Sequence, residues 1–417
     1  MLLPAKRFRL LVCISLMFVL AFWWRTLLPL HALAAAALLC PDGKDGQARE
    51  ELAPLDGLKI GGQQVVELRR KGSANPSRPE FTSVTILPGR GMNLFQITAN
   101  IPGKGEVHVL ASPSLEEAAR QLIGGTEDAH GVKSFAFGGA FLVPYPNRIR
   151  GKLSADGKSI VTAWNGKELT LPAVWKGKAN PNAESHAIHG LILDRKTDSM
   201  HLETTPNGQV FTGVIHAGDF GGYWLSKTDL TIRIALTGTA VEATITAKNV
   251  GAEAEPMAIG WHPYFAIPSG DRKQARLHIP ASQLAEVNNY DDVFPTGNLP
   301  SVSGTQYDFT APEGALLKDI FLDDNFSQLT RTGGKVVVDL ADPAASYGIH
   351  IESLSDEVRT IQVYAPPEKP FAAIEEQFNF ADPFSSVWKG MDTGMVTLQP
   401  GKSVVWKTRL ELFTPGK

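Results

Sequence analysis

Cysteine is almost missing from this chain: two occur among 417 residues, Cys13 and Cys40. Cys13 falls in an apolar N-terminal run. A chain shortened there keeps Cys40 at most, which excludes an internal disulfide and any cysteine-based metal site. An excess of positive charge is missing too. Forty Lys and Arg stand against 43 Asp and Glu, for a formal net charge of −3, which argues against a nucleic-acid partner because that would need a basic face. Helical periodicity is scarce, and repeats, low-complexity tracts and internal breaks in composition are absent. With so few helices and no cross-links, the fold has to be held by a core built from strands. Apolar runs of any length are confined to the N-terminus, where Leu10 to Trp24 covers 15 residues. A membrane-spanning helix needs ~20.

That N-terminus reads as a separate object. Lys6, Arg7 and Arg9 precede the apolar run, and small residues follow, with Ala32-Leu33-Ala34 as an A-x-A-like site. The order basic, apolar, small predicts a secretory signal over residues 1–36 and hence an exported protein, periplasmic or extracellular. Thr26 to Leu39 is also apolar, so an uncleaved anchor is the alternative, and it is the only membrane contact expected. Cys40 invites a lipoprotein reading, but Leu38-Leu39 puts bulky residues where such signals carry small ones. Residues 41–56 are polar, and 37–56 is expected to form a flexible lead-in. Residues 57–417 then predict one large all-β domain, since β-sandwiches can run well past ~200 residues as a unit.

Period-two patterns dominate from Gly57 onward. Leu230, Ile232, Ile234 and Leu236 alternate with polar residues, and so do Val241, Ala243, Ile245 and Ala247, with Thr237-Gly238-Thr239 between the two runs. This predicts an antiparallel hairpin with one buried face. Val404, Trp406, Thr408, Leu410 and Leu412 predict a last strand built the same way, after the turn Gln399-Pro400-Gly401-Lys402. One helix is predicted, capped by Ser114 with Glu117 completing a capping box, and ended by Gly124.

Four segments could carry chemistry. Asn147-Arg148 follows Pro144-Tyr145-Pro146, where a guanidinium could bind oxygen ligands in a fixed fork; read alone, a structural salt bridge is the plainer reading. His189-Gly190 could set an imidazole beside a close backbone approach, although a satisfied or surface histidine is the default. His262 lies within Trp261-His262-Pro263-Tyr264-Phe265. There it could exchange a proton near neutral pH among rings that stack on sugar faces, or it could simply belong to an aromatic core. Glu375 follows the apolar run Phe371-Ala372-Ala373-Ile374, which could end a strand in a partly dry place and so make a usable base. Glu376 must then point to the opposite side, and the bland reading of both is a solvated turn.

Taken together, the order Asn-Arg, His-Gly, His-Pro-Tyr-Phe and a late apolar-Glu stretch resembles the aldose 1-epimerase (mutarotase) family, from about Leu87 to the last strand. The most specific piece is NVGAEAEPMAIGWHPYFAI, with support from SGTQYDF, LDDNFSQL and LQPGKSVVW. The resemblance implies an all-β, antiparallel β-supersandwich of the galactose mutarotase type that binds one aldohexose on a concave face, with no metal or other cofactor. It implies Glu375 as base, His262 as acid and His189 as the second active-site histidine. Arg148 and Asn147 match sugar contacts, and Asp323 matches a hydroxyl-binding aspartate, with Asp324 its one-residue rival. The oligomeric state stays open. Three departures bear on the substrate. Glu376 stands where many members have proline, no tryptophan follows the His-Gly pair, and Ile188 precedes His189 where some members have a second histidine. Two alternatives share the fold: a non-catalytic sugar-binding or sensing protein, and an epimerase of a phosphorylated hexose.

Overall fold

The computed structural model describes residues 57–73, 77–178 and 180–416. The expected signal segment 1–36 and lead-in 37–56 lie outside the described residues. Within them, no helix is long and apolar enough to cross a membrane.

Two large antiparallel sheets stack on each other. A ten-stranded sheet carries Ala281–Ala285, Leu322–Leu329, Thr360–Ala365, Phe371–Gln377, Gly260–Ala266 and Gly139–Leu142 in that spatial order, then continues to Asn93–Ile101, Glu80–Leu87 and Val66–Arg69. A nine-stranded sheet is centred on Thr228–Thr237, Ala240–Asn249 and Ser403–Phe413. The predicted hairpin is there, with Leu236 opposite Val241 and the two apolar runs buried. Each fully buried aliphatic side chain of this kind contributes about 1.5–3 kcal/mol. In the last strand Val404, Trp406, Thr408 and Leu410 are buried as a set, and Leu412 is half-buried at the end.

The sheets meet through aromatic rings. Trp261 and Phe141 of the ten-stranded sheet lie 6.5 and 6.2 Å from Trp406 of the other sheet. Because Trp261 faces this interior, strand alternation turns His262 to the outer face of the sheet. The same rule sends Ile374 inward and Glu375 outward.

The helix spans Leu115–Gln121 and Ser114 caps it, its side chain accepting from the Glu117 backbone N–H. The expected capping box is only half made, because the Glu117 carboxylate turns forward to Arg120 and Gln121. The helix also stops before Gly124, with Leu122 as its C-cap. The solvated-turn reading of the two glutamates fails. Both lie inside the strand Phe371–Gln377, and both are buried.

Candidate active site

The outer face of the ten-stranded sheet gathers every site residue predicted from the sequence. Register does most of this work. Gln362 lies opposite Glu375 and Thr360 opposite Gln377, while Gly260↔Gln377 and Tyr264↔Ala373 bracket His262 beside Glu375. The His262 Nε2 and a Glu375 carboxylate oxygen are 3.2 Å apart, and both side chains are buried.

A short ladder adds the remaining groups. Ile188 pairs with Arg148 and Ala187 with Ile149, which brings the Asn-Arg and His-Gly segments together. Asn147 and His189 both adopt left-handed φ values, 63° and 57°. The His189 backbone N–H donates to the Asn147 carbonyl at 2.9 Å. Such conformations cost on the order of 1–3 kcal/mol in non-glycine residues and tend to collect at functional sites. Gly190 is needed for the close approach inferred from the sequence, since a Cβ there would lie 2.4 Å from the Val143 carbonyl oxygen. His189 stands edge-on to His262 with ring centres 4.8 Å apart.

Hydrogen bonds join these residues into a chain. Gln377 Nε2 donates to Glu375 at 2.8 Å. Asn147 Nδ2 donates to Gln377 Oε1 at 3.3 Å and to Gln362 Oε1 at 3.0 Å. Gln362 Nε2 donates to Asp323 at 2.8 Å, and the Arg148 guanidinium reaches the other Asp323 oxygen at 3.4 Å. Asp323 therefore belongs to the cluster. Asp324 does not: it is buried on the opposite side of the strand and accepts from the Tyr290 hydroxyl at 2.9 Å.

Burial sets the electrostatics. It pushes Glu375 well above the ordinary carboxylate range, opposed by the Gln377 hydrogen bond, and depresses His262 to about 3. The dry pocket thus disfavours separated charges. Burial favours the uncharged forms of both groups, with the transferable proton on the carboxyl. Passing that proton across the 3.2 Å gap gives carboxylate and imidazolium. Burial also raises Asp323, against the pull of Arg148 and Gln362, and lowers His189 well below its usual value. Buried atoms without a protein partner remain at Arg148 Nε, His189 Nδ1 and His262 Nδ1. A polyhydroxylated ligand can satisfy such groups, which are costly to leave bare. Among the described residues, no group of three or more His, Cys, Asp or Glu is placed to hold a metal ion.

Three participants were missed from the sequence. Gln377 had a signal, since it lies two residues beyond Glu375 and so shares its face. Gln362 had none, because its place depends on pairing with a strand that could not be registered in advance. Phe135 packs 4.6 Å from His189 and 5.5 Å from His262, and reaches Trp175 at 5.3 Å. No tryptophan follows the His-Gly pair, and the Trp175 indole reaches Phe135 from another loop.

Residues 105–411, well over half of the chain, match the family model described as aldose 1-epimerase. The chain is 28% identical over 152 residues to the uncharacterized protein YihR of Escherichia coli (strain K12), covering 36% of this chain and 44% of the relative. YphB of the same organism is 28% identical over 144 residues, covering 32% and 39%. The chain thus spans less than half the length of these curated relatives. Solved structures resemble it over far more. A galactose mutarotase-like protein from Clostridium acetobutylicum superposes with a TM-score of 0.63 at 20% identity, over 80% of this chain and 94% of that one. A galactose 1-epimerase from Lactobacillus acidophilus NCFM gives 0.56 at 14% identity, over 84% and 99%. At these identities the likeness shows the fold, a β-supersandwich of the galactose mutarotase type.

Proposed function

The chain belongs to the aldose 1-epimerase family, and from that premise we propose that it is an isomerase interconverting the α and β anomers of a free aldose. The observation that carries this reading is the buried Glu375–His262 pair at 3.2 Å, tied through amides to the Asp323–Arg148 pair. One end can move a proton, and the other can hold hydroxyls.

The chemistry requires no more than that. With the pair in its charged form, Glu375 takes the proton of the C1 hydroxyl. The C1=O bond forms as the bond from C1 to the ring oxygen breaks, and His262 protonates that oxygen. Rotation about C1–C2 presents the other carbonyl face, and the same two groups run the steps backward. Uncatalysed ring opening is already feasible in water, so acid–base help of ~10²–10⁴ per group plus positioning suffices. His189, held edge-on to His262, completes the donor set around the anomeric end. Polarimetry or NMR of freshly dissolved α-glucose and α-galactose tests the reading directly. Sugar binding without faster equilibration would move the protein to the sensing alternative.

Asp323 is expected to orient the distal hydroxyls. Asp323→Asn should raise KM several-fold, while Asp324→Asn, on the far side of the strand, should leave it near wild type. Steady-state mutarotation kinetics on both variants check this, and the reverse pattern would move the assignment by one residue.

Export is part of the same proposal, supported by the basic, apolar and small-residue order of residues 1–36. N-terminal sequencing of the mature protein should begin between about Ala35 and Cys40. Intact Met1 in a soluble cytoplasmic fraction would defeat it.

A further inference from the structure

The register that gathers the site also sorts the outer face into rows. His262, Glu375 and Gln362 form one row across neighbouring strands. One step along the strands, Tyr264 lies opposite Ala373, Ala373 opposite Tyr364, and Tyr364 opposite Asp323. From His262 a continuous series of ring contacts leads away: to Tyr264 at 4.9 Å, Phe371 at 5.1 Å, Tyr364 at 6.3 Å, Phe321 at 6.2 Å and Tyr290 at 5.1 Å. The series starts buried and ends open, with Phe321 36% and Tyr290 43% exposed. A core cluster would close over its rings. This one surfaces.

The outer end is also held in place. The Tyr290 hydroxyl donates to Asp324 at 2.9 Å and lies 3.1 Å from the Tyr307 hydroxyl. That gives Asp324, excluded from the sugar cluster, a task of its own. A ring fixed in advance offers contact area at little entropic cost.

Direction decides what could lie there. Anomerisation puts C1 at Glu375 and His262, so hydroxyls remote from C1 meet Arg148 and Asp323. Tyr364 is the cross-strand neighbour of Asp323. A substituent on a remote oxygen therefore leaves the site over Tyr364, Phe321 and Tyr290. We propose that these three rings form a second sugar subsite, and that the favoured ligand is a reducing disaccharide or longer saccharide with its free-anomer ring at Glu375–His262. The inference rests on the anomerase reading for its orientation.

Glucose is compared with cellobiose and maltose, which share its reducing ring, by calorimetric binding and by NMR anomer-exchange rates. At least one disaccharide should show kcat/KM and affinity about tenfold or more above glucose, the scale of one added apolar contact in a fitted pocket. Phe321→Ala should lower the disaccharide-to-glucose ratio about tenfold, and Phe321→Trp should keep or raise it. Equal kcat/KM for all three sugars, or equal losses on glucose and disaccharide in Phe321→Ala, would overturn the subsite while leaving the anomerase reading intact. Tighter disaccharide binding without exchange on any sugar would do the reverse. Binding of none of the three would remove both.

Discussion

Glu375→Gln is expected to lower kcat by ~10²–10⁴, the usual worth of one positioned proton-transfer group. The amide keeps the shape of the carboxyl and can still meet Gln377, but it cannot take the C1-hydroxyl proton. His262→Asn should cost a comparable factor by removing the donor to the ring oxygen. KM should change far less in both, because Arg148, Asp323 and Gln362 still hold the remote hydroxyls. The double variant should lose much less than the product of the single losses, since each step needs both groups at once. Wild-type activity should persist far into acid, because burial holds His262 down at about 3 and the pair gains a second proton only there. NMR exchange rates for the four proteins decide the matter. Full activity in both single variants would place the chemistry elsewhere.

Glu376→Gln should leave activity near wild type and change stability instead. Glu376 is 1% exposed and points between the sheets, where neither carboxylate oxygen has a hydrogen-bond partner. The Thr408 and Ser353 hydroxyls approach it without closing a bond of good geometry. Burial pushes its pKa up to about 8, against an ordinary 4.5. Between those values the folded chain keeps a proton that the unfolded chain has lost. Stability is therefore greatest below about pH 4.5, as far as this group is concerned, and falls as pH rises to about 8. The slope is about 1.4 kcal/mol per pH unit, and the total is on the order of a few kcal/mol. Glutamine cannot ionise. The variant should match or fall slightly below wild type at pH 5 and melt several degrees higher at pH 8.5. Parallel melting curves across that range, or a catalytically dead Glu376→Gln, would sink the idea.

These two variants also show what could be read from the chain alone. Adjacent glutamates after an apolar run leave their faces undecided until the strand is recognised, and alternation then assigns one to the outer face beside His262 and the other to the core. The hairpin 228–249 was legible because eight alternating positions repeat one message. Of the candidate site, Asn147, Arg148, His189, His262 and Glu375 stand out in local runs of the chain, whereas Asp323 was reached only through the family resemblance, with Asp324 its rival. Gln362 was not legible, since an ordinary strand residue acquires its place only through partners such as Asn147, 215 residues away in sequence. Nor was the burial of Glu376, which needs the second sheet to exist. Local pattern names the groups, and long-range register decides which of them meet.

Asn147 illustrates how far such a meeting reaches. Its single amide nitrogen donates to the carbonyl oxygens of both Gln362 and Gln377, and so turns the NH₂ of each glutamine outward, one toward Asp323 and the other toward Glu375. An acceptor at position 147 would reverse both amides and set oxygen against oxygen at each carboxylate. Positions 147, 362 and 377 therefore act as one polar unit rather than three, and an acceptor at the first requires the polarity of the other two to be rewritten.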